Sequence, residues 1–219
     1  MINLTFDTTA QSCSVILTRD GITMSKMVQK MEFGQAEALM PSIKAALDDN
    51  SLQMKDLDLI TVCTGPGSFT GVRSSLSAAR TFALALPAVA LTGVSAFEAY
   101  VEDLQPDELA EINAVIIETK REDFYFQAFD EHKKPLEAPQ ALNYPDIIDK
   151  LRHRKVTLIG DGVERFLSRP SGLSLHVIRM EDIPPIAALS RCGTNRYIRK
   201  NLDYPKPLYL RAPDVCIKG

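Results

Sequence analysis

The stretch "TGPGSFTGVR" (64–73) joins an apolar run of strand length, "LDLITVC" (57–63), to a helical pattern over residues 70–86. Strand and helix patterns also alternate on both sides of it, which predicts a mixed, mainly parallel sheet with helices on its faces. The other elements predicted before residue 105 are strands at 2–6, 13–18, 23–30 and 88–92 and helices at 35–49 and 95–104.

A second half with a similar order of elements follows a polar, proline-containing segment, "QPDELAE" (105–111). No sequence repeat is detectable, but the order again begins with a hairpin and continues with alternating strands and helices. This predicts two lobes, residues 1–104 and a smaller lobe over 105–219, with the last helix and tail packing back on the first lobe. The predicted elements of the second lobe are strands at 112–118, 124–129, 155–160 and 174–179 and helices at 145–152, 161–168 and 185–200.

Composition and charge restrict the classes of function. The chain has 219 residues, 45% apolar composition and a net charge of −3, enough for a sizeable core but without the basic stripe typical of autonomous nucleic-acid binding. The most basic stretch, "KLRHRK" (150–155), is interpreted as a solvated helix end in preference to an RNA contact. The four cysteines are far apart, which favours neither a metal site nor a disulfide framework.

The beginning of the chain, "MINLTFDTT", lacks the charged and apolar regions of a signal peptide. No apolar run reaches the roughly 18 residues that a membrane-spanning helix needs. We therefore expect no membrane association and a cytoplasmic location.

The Gly-rich loop either cradles a phosphate or makes a tight turn from strand to helix. Glycine allows close approach of a neighbouring backbone, Ser68 can cap the following helix, and the amides of that helix start could bind an anion. However, a P-loop ends in Gly-Lys-Ser/Thr, and this loop reads Thr70-Gly71-Val72. The glycine spacing does not fit a dinucleotide fingerprint either.

A second candidate for nucleotide contact is "FDTTAQSCSV" (6–15), where an acidic residue ends the first strand and hydroxyl residues form the turn. Hydroxyls and turn amides can hold phosphate oxygens, and a carboxylate can bind hydrated magnesium. The alternative is that these side chains satisfy only the backbone of the turn. The candidate nucleotide-binding residues are Asp7, Thr8, Thr9, Gly65, Gly67 and Ser68.

Two helices carry narrow apolar stripes. In the helix after the loop, apolar residues from Val72 to Leu86 step by 4, 3, 4 and 3 residues among small side chains, a spacing that favours close helix packing. Such a stripe is a partner surface if it is exposed and packs on the sheet if it is not. From the residues alone, packing on the sheet is favoured.

The motifs together resemble one family. "FDTTAQSCSVIL", "TGPGSFTGVR" with its small-residue helix, "LIGDG" (158–162) and "PLYLRAPDV" (207–215) are similar to the bacterial TsaB (YeaZ) family from the first strand to the tail. The resemblance implies an actin-like ATPase (ribonuclease H-like) fold of two lobes, each with a mixed sheet flanked by helices and the second lobe reduced.

The resemblance also implies a function. In that family TsaD, TsaB and TsaE make threonylcarbamoyladenosine on tRNA, with TsaD catalytic and TsaB its non-catalytic dimerisation partner. TsaD enzymes carry two metal-binding histidines on their first long helix, and the corresponding helix here begins "FGQAEALMPSI" without histidine. We therefore expect a TsaD heterodimer, TsaE in a larger complex, a homodimer when TsaD is absent, and tRNA contact only within the complex.

The expected partner interface follows from the same resemblance, which places it on the helices matching 35–49 and 70–86. No cofactor is expected to be required, although ATP or ADP with magnesium could lie at the subunit junction, held mainly by the partner. The rival hypothesis is a catalytically active ATPase or kinase that binds ATP-magnesium at Asp7, Thr8 and the 65–71 loop. The expected interface residues are Leu39, Met40, Ile43, Val72, Leu76, Ala79 and Ala83.

Overall fold

The computed structural model describes residues 1–211, which form two five-stranded sheets with helices on their faces. Residues 212–215, the end of the "PLYLRAPDV" motif, and Cys216 lie outside the described residues.

The first sheet contains the strands that precede residue 95, in the order β3-β2-β1-β4-β5. β1 is antiparallel to β2 and parallel to β4, and β4 is parallel to β5. The strands are β1 (Ile2–Asp7), β2 (Ser12–Arg19), β3 (Ile22–Lys30), β4 (Leu59–Cys63) and β5 (Ala90–Val94), and the helices are α1 (Gln35–Asp48), α2 (Phe69–Ala85) and α3 (Ala96–Asp103).

The second sheet repeats this topology, with the order β10-β9-β6-β7-β8. The reduction of the second half lies in its helices, since α4 and α5 have 8 and 5 residues where α1 and α2 have 14 and 17. The elements are β6 (Ile112–Glu118), β7 (Phe124–Phe129), β8 (Gln140–Leu142), α4 (Tyr144–Leu151), β9 (Lys155–Ile159), α5 (Val163–Leu167), β10 (Ser174–Arg179) and α6 (Ile186–Ile198).

Every predicted strand and helix is present, and the structure adds β8. This strand of 3 residues is paired only at the sheet edge, with β7. Three residues are too few to show a two-residue period, so the sequence carried no signal for it.

The apolar stripes of α1 and α2 cover one face of the first sheet. Helix α1 packs on β2 and α2 on β4, and the side chains of both helices join strand residues in one core. Burial of this apolar surface is the main favourable term that holds the helices in place.

Helix α6 returns from the end of the chain to the first sheet, where it packs on β1, β4 and β5. A Cβ on Gly193 would overlap Thr61 Oγ1, so this approach requires glycine. The Asn3 side-chain amide also donates to the Thr194 hydroxyl (3.2 Å) within the interior. The division into lobes 1–104 and 105–219 stays a prediction, and α6 lies against the sheet of the first.

A shared core joins the two halves. Phe97 and Tyr100 of α3, Val115 of β6, Phe129 of β7 and Leu189 of α6 belong to one buried cluster. Among residues 1–211, no helix is both long enough and apolar enough to cross a bilayer.

Candidate functional site

The Gly-rich loop packs directly on the turn between β1 and β2. The Ser68 amide donates to the Thr9 carbonyl (2.7 Å), and the Thr8 hydroxyl donates to the Gly71 carbonyl (2.7 Å). A Cβ on Gly71 would overlap the carbonyl oxygen of Thr8, and one on Gly67 would overlap that of Thr9. Both glycines are therefore needed for the contact between the two loops.

Three amides of the loop and of the start of α2 are bonded within the protein. Besides the Ser68 amide, the Gly71 amide donates to the Ser68 hydroxyl (3.3 Å), and the Val72 amide donates to the Ser68 carbonyl (2.8 Å) in the first intrahelical bond of α2. Ser68 is thus the predicted cap of α2, and an anion bound to these three amides would have to displace their bonds.

Asp7 is enclosed at the end of β1. Its Oδ1 accepts a hydrogen bond from the Thr9 amide (2.7 Å), whereas its Oδ2 has no hydrogen-bond partner among the described residues. Burial raises the pKa of Asp7, because the charged form loses its hydration. The Thr9 hydroxyl lies 3.5 Å from the Cys63 sulfur, on the same buried side.

The six candidate nucleotide residues are brought together, because the Gly-rich loop packs on the β1–β2 turn. Burial favours the neutral form of Asp7 in this arrangement, whereas a magnesium ligand must be ionised. Nucleotide contact at these residues and the rival ATPase hypothesis both stay predictions.

The tail, residues 202–211, runs through the cleft between the two sheets. The Gly93 amide donates to the Asp203 carbonyl (2.8 Å), and the Leu208 amide donates to the Thr64 carbonyl (2.8 Å). Leu208 and Leu210 pack against the core shared by the two halves. The tail thus packs against residues of both halves of the chain, and the Leu208 bond ties it to the start of the Gly-rich loop.

Two cavities flank the tail. One, of about 610 Å³, lies on the side of Gly93, Glu98 and Arg196. The other, of about 350 Å³, lies between the Gly-rich loop, the turn joining β6 to β7, and residues 208–211 of the tail.

Phe69, Tyr209 and Arg211 line the second cavity, and Arg73 contacts the first two of them. The Arg73 guanidinium lies 3.9 Å from the ring centre of Phe69, and its Nε donates to the Tyr209 hydroxyl (3.3 Å). The rings of Phe69 and Tyr209 are 5.4 Å apart between centres. Across the cavity, Arg211 forms an ion pair with Asp123.

Of the seven expected interface residues, two are accessible to solvent and five are buried. Met40 of α1 is 49% exposed and Ala83 of α2 is half-buried. The other five are buried in the core of their own chain, so for them the alternative is correct: their stripes pack on the sheet. Side chains without accessible surface cannot form an interface with a separately folded partner, and these five are Leu39, Ile43, Val72, Leu76 and Ala79.

The three histidines lie apart, in the second half of the chain. His132 is exposed beside Glu131, and a ring nitrogen of His176 lies 2.9 Å from the Asp107 carbonyl. Over residues 1–211, no three His, Cys, Asp or Glu side chains are grouped so that they could hold a metal ion.

Comparison with known proteins finds one matching family model and several similar chains. Residues 34–141 match the family model of TsaD, the tRNA N6-adenosine threonylcarbamoyltransferase. The chain is 24% identical to the tRNA threonylcarbamoyladenosine biosynthesis protein TsaB of Escherichia coli, over 95% of this chain and 94% of that protein. The chain is thus similar to TsaB (YeaZ) proteins over nearly its whole length. The resemblance that the sequence motifs indicated is thereby confirmed.

Other relatives match over shorter segments. An uncharacterised protein of Mycobacterium tuberculosis is 30% identical over 56% of this chain and 55% of its own length. The chain spans about half the length of the mycobacterial relatives that it matches at this identity.

Solved structures confirm the predicted actin-like fold. YeaZ from Pseudomonas aeruginosa aligns with a TM-score of 0.82 at 20% identity, over 95% of this chain and 99% of that one. The activator of 2-hydroxyisocaproyl-CoA dehydratase from Clostridium difficile, with bound ADPNP, aligns with a TM-score of 0.50 at 9% identity, over 93% and 98% of the two chains.

Sequence reasoning missed two features of the chain. One is the contact of Phe69 and Arg73 with Tyr209 beside the second cavity, because these residues are far apart in sequence. The other is a pair of exposed apolar side chains, Phe33 before α1 and Leu84 in α2. Both residues lie outside the periodic stripes, because they face away from the core that produces the period.

Proposed function

We propose that this chain is a non-catalytic subunit in the formation of threonylcarbamoyladenosine on tRNA, and that it docks on TsaD. The observation that carries the proposal is the outer face of α1 and α2, on the side opposite their buried stripes. There Phe33 is 82% exposed, Met40 49% and Leu84 81%. Large apolar side chains exposed together are typical of protein–protein contact sites.

The α2 part of this outer face has mostly small side chains, whereas α1 also exposes charges, among them Lys44, which pairs with Asp48. Helix α2 has no acidic residue among its 17 and only Arg73 and Arg80 as charges. Arg80 donates to the Pro205 carbonyl (2.6 Å), so one of the two charges is engaged by the tail. Small uncharged side chains let a second helix approach closely. The residues of the outer face proposed for docking are Phe33, Ala36, Met40, Ser74, Ser77, Thr81 and Leu84.

The match to the TsaD family model supports TsaD as the partner that we propose. The residues that match the TsaD family model begin at Gly34, next to α1, and include all of α1 and α2. A TsaD subunit would then present a similar helix pair, and the two pairs could meet about a pseudo-twofold axis. A stable interface buries about 1,600 Å² in total. The same face would form a homodimer when TsaD is absent.

The cleft supports the non-catalytic part of the proposal. The Gly-rich loop is packed on the β1–β2 turn, and the tail runs between the lobes. We propose that no cofactor is required, and that any ATP or ADP with magnesium at the subunit junction is held mainly by the partner. TsaE would join a larger complex in the cytoplasm, and tRNA would be bound by the assembly.

The docking proposal is tested with TsaD from the same organism in size-exclusion chromatography with light scattering and in calorimetry. Met40→Glu places a charge in the proposed interface and should weaken docking by about 2 kcal/mol or more, roughly 30-fold. Leu136→Glu is the matched control, because Leu136 is 52% exposed and lies between β7 and β8 of the second sheet. Docking by Met40→Glu at wild-type affinity, or equal losses in both variants, would contradict the proposed face.

A further inference from the structure

The chain that follows α6 carries positive charge that its own acidic side chains do not neutralise. Arg199, Lys200 and Lys206 are exposed, and within residues 1–211 their side chains form no ion pair or hydrogen bond. The one acid between them in sequence, Asp203, lies 3.5 Å from Arg196. The tail-start patch, as we name it, comprises Arg199, Lys200, Tyr204 and Lys206.

The most basic stretch of the sequence, "KLRHRK" (150–155), differs from this patch because most of its charge is neutralised. Three of its cations are paired with acids in the second half of the chain. The structure therefore leaves the cations after α6 available to a polyanion, and not most of those in the stretch that is most basic in sequence. The pairs are Lys150 with Glu137, Arg152 with Asp149 and Arg154 with Glu111.

Lys200 occupies a backbone position that favours glycine. The Lys200 amide donates to the Tyr197 carbonyl (3.1 Å) and the Asn201 amide to the Arg196 carbonyl (2.9 Å), the two bonds of a helix end with a left-handed residue. Lys200 has a φ of 56°, which a residue other than glycine adopts at a cost. The dipole of α6 favours cations at this end, but it acts only within the last turn and does not reach Lys206 in the tail.

Tyr204 supplies an exposed aromatic ring between these cations. The ring is 60% exposed, and the Arg80 guanidinium lies 5.5 Å from its centre. Arg80 also donates to the carbonyl of Pro205 (2.6 Å), which fixes the backbone beside the ring. Proteins bind unpaired nucleic acid by combining exposed rings, on which bases stack, with cations that follow the phosphates. The tail-start patch contains both kinds of group.

The size of the patch suits a short strand. The chain from Arg199 to Lys206 spans at most about 25 Å, enough for roughly four nucleotides. Ile198 and Leu202 are also exposed, by 68% and 39%, and such side chains suit a protein surface. Three unpaired cations around an exposed ring favour a polyanion, and a protein contact is an outcome that the test detects.

We propose that the tail-start patch binds an unpaired segment of an RNA strand. A base stacks on Tyr204, and phosphates lie at Arg199, Lys200 and Lys206. The inference rests on the proposed function only in taking RNA as the nucleic acid concerned. It adds direct RNA binding to a chain that was expected to meet tRNA only within a complex.

The test measures fluorescence anisotropy of a labelled ten-nucleotide single-stranded RNA of mixed sequence with the full chain. We expect a Kd within the roughly 10⁻⁴ to 10⁻⁶ M of sequence-independent binding. Tyr204→Ala should weaken binding at least about fivefold, the scale of removing one stacked ring, whereas Tyr204→Phe keeps the ring and should bind as the wild type does. Lys206→Glu should reduce the magnitude of the logarithmic salt slope by about 0.7, the contribution of one phosphate.

Lys200→Gly separates binding from stability. It removes a charge and should reduce the salt slope by a similar amount, but it should not lower Tm, because glycine is favoured at this helix end. The matched control is Lys155→Glu, since Lys155 is also exposed and lies at the start of β9 in the second sheet. The control should bind RNA as the wild type does.

Three results would overturn the proposal: a wild type that does not bind, normal binding by Tyr204→Ala, or equal losses in Lys155→Glu and Lys206→Glu. Thermal melts of each variant show whether weaker binding comes from unfolding. A Lys206→Glu variant that binds RNA normally and loses TsaD would identify the patch as a protein surface, which also overturns the proposal.

The two proposals can fail separately. Lys206→Glu should still co-elute with TsaD, whereas Met40→Glu should still bind the RNA strand. Loss of RNA binding alone therefore reports on the tail-start patch, and loss of the heterodimer by Met40→Glu alone reports on the outer face of α1 and α2.

Discussion

Replacement of Gly71 by alanine tests whether the Gly-rich loop is a packing element. A Cβ at this position would overlap the carbonyl oxygen of Thr8 and lie 2.9 Å from its carbon. The start of α2 and the β1–β2 turn would have to separate by roughly 1 Å to admit it. That movement strains the bonds from the Thr8 hydroxyl to the Gly71 carbonyl and from the Ser68 amide to the Thr9 carbonyl.

The expected magnitude follows from three effects. Overpacking in a tight interior costs about 1–3 kcal/mol, and two weakened hydrogen bonds cost about 0.5–1.5 kcal/mol each. Alanine in place of glycine within a helix stabilises the folded chain by about 1 kcal/mol, which offsets part of this loss. The net loss of unfolding free energy should be about 3 kcal/mol, which for a chain of this size lowers Tm by roughly 6–12 °C.

The assay is urea and thermal denaturation of Gly71→Ala beside Ser77→Ala. Both variants place alanine in α2, but Ser77 is exposed on the outer face, so its replacement should change stability by less than about 0.5 kcal/mol. If Gly71→Ala melts within about 2 °C of the wild type, which is less than 1 kcal/mol on this scale, the glycine is not required for packing. The loop would then have to be explained by a ligand.

Three further predictions concern pH, the tail and the buried stripe. Burial raises the pKa of Asp161 from 3.8 to about 7, so its neutral form favours folding at pH 4 and that contribution is lost as pH rises through 7. We expect the unfolding free energy of the wild type, measured in urea from pH 4 to 8, to fall with rising pH by up to about 4 kcal/mol more than that of Asp161→Asn. Parallel curves of unfolding free energy against pH for the two proteins would contradict this prediction. A Cβ on Gly93 would lie 2.9 Å from Pro205 Cα. Gly93→Ala should therefore loosen the tail and speed its limited proteolysis by about tenfold. A tenfold faster cleavage corresponds to a loss of about 1.4 kcal/mol in the free energy of local opening. An unchanged cleavage rate would show that the tail is not held there. Leu76→Glu would test docking only if the stripe were exposed. Because Leu76 is buried, the unpaired charge should unfold the chain, and its circular dichroism spectrum should be lost. Met40→Glu should keep the wild-type spectrum, because Met40 is exposed.

The sequence by itself determined the elements and the resemblance to TsaB (YeaZ) proteins. Strand and helix periods are local properties, so the order of elements and most of their bounds could be predicted without knowledge of contacts. The glycines of "TGPGSFTGVR" predicted a close approach of backbone, and the structure shows that the approaching group is the β1–β2 turn. β8 was missed because a strand of 3 residues has no measurable period.

Only the tertiary structure decided which surfaces remain available. A helical period places Leu39, Ile43 and Leu76 on apolar faces, but it does not say whether the sheet or a partner covers those faces. The structure buries them and leaves Met40 exposed. The course of the tail along both sheets and the contact of Phe69 and Arg73 with Tyr209 could not be predicted from the sequence either. Contacts between distant segments depend on how the two sheets pack, and no local pattern records that.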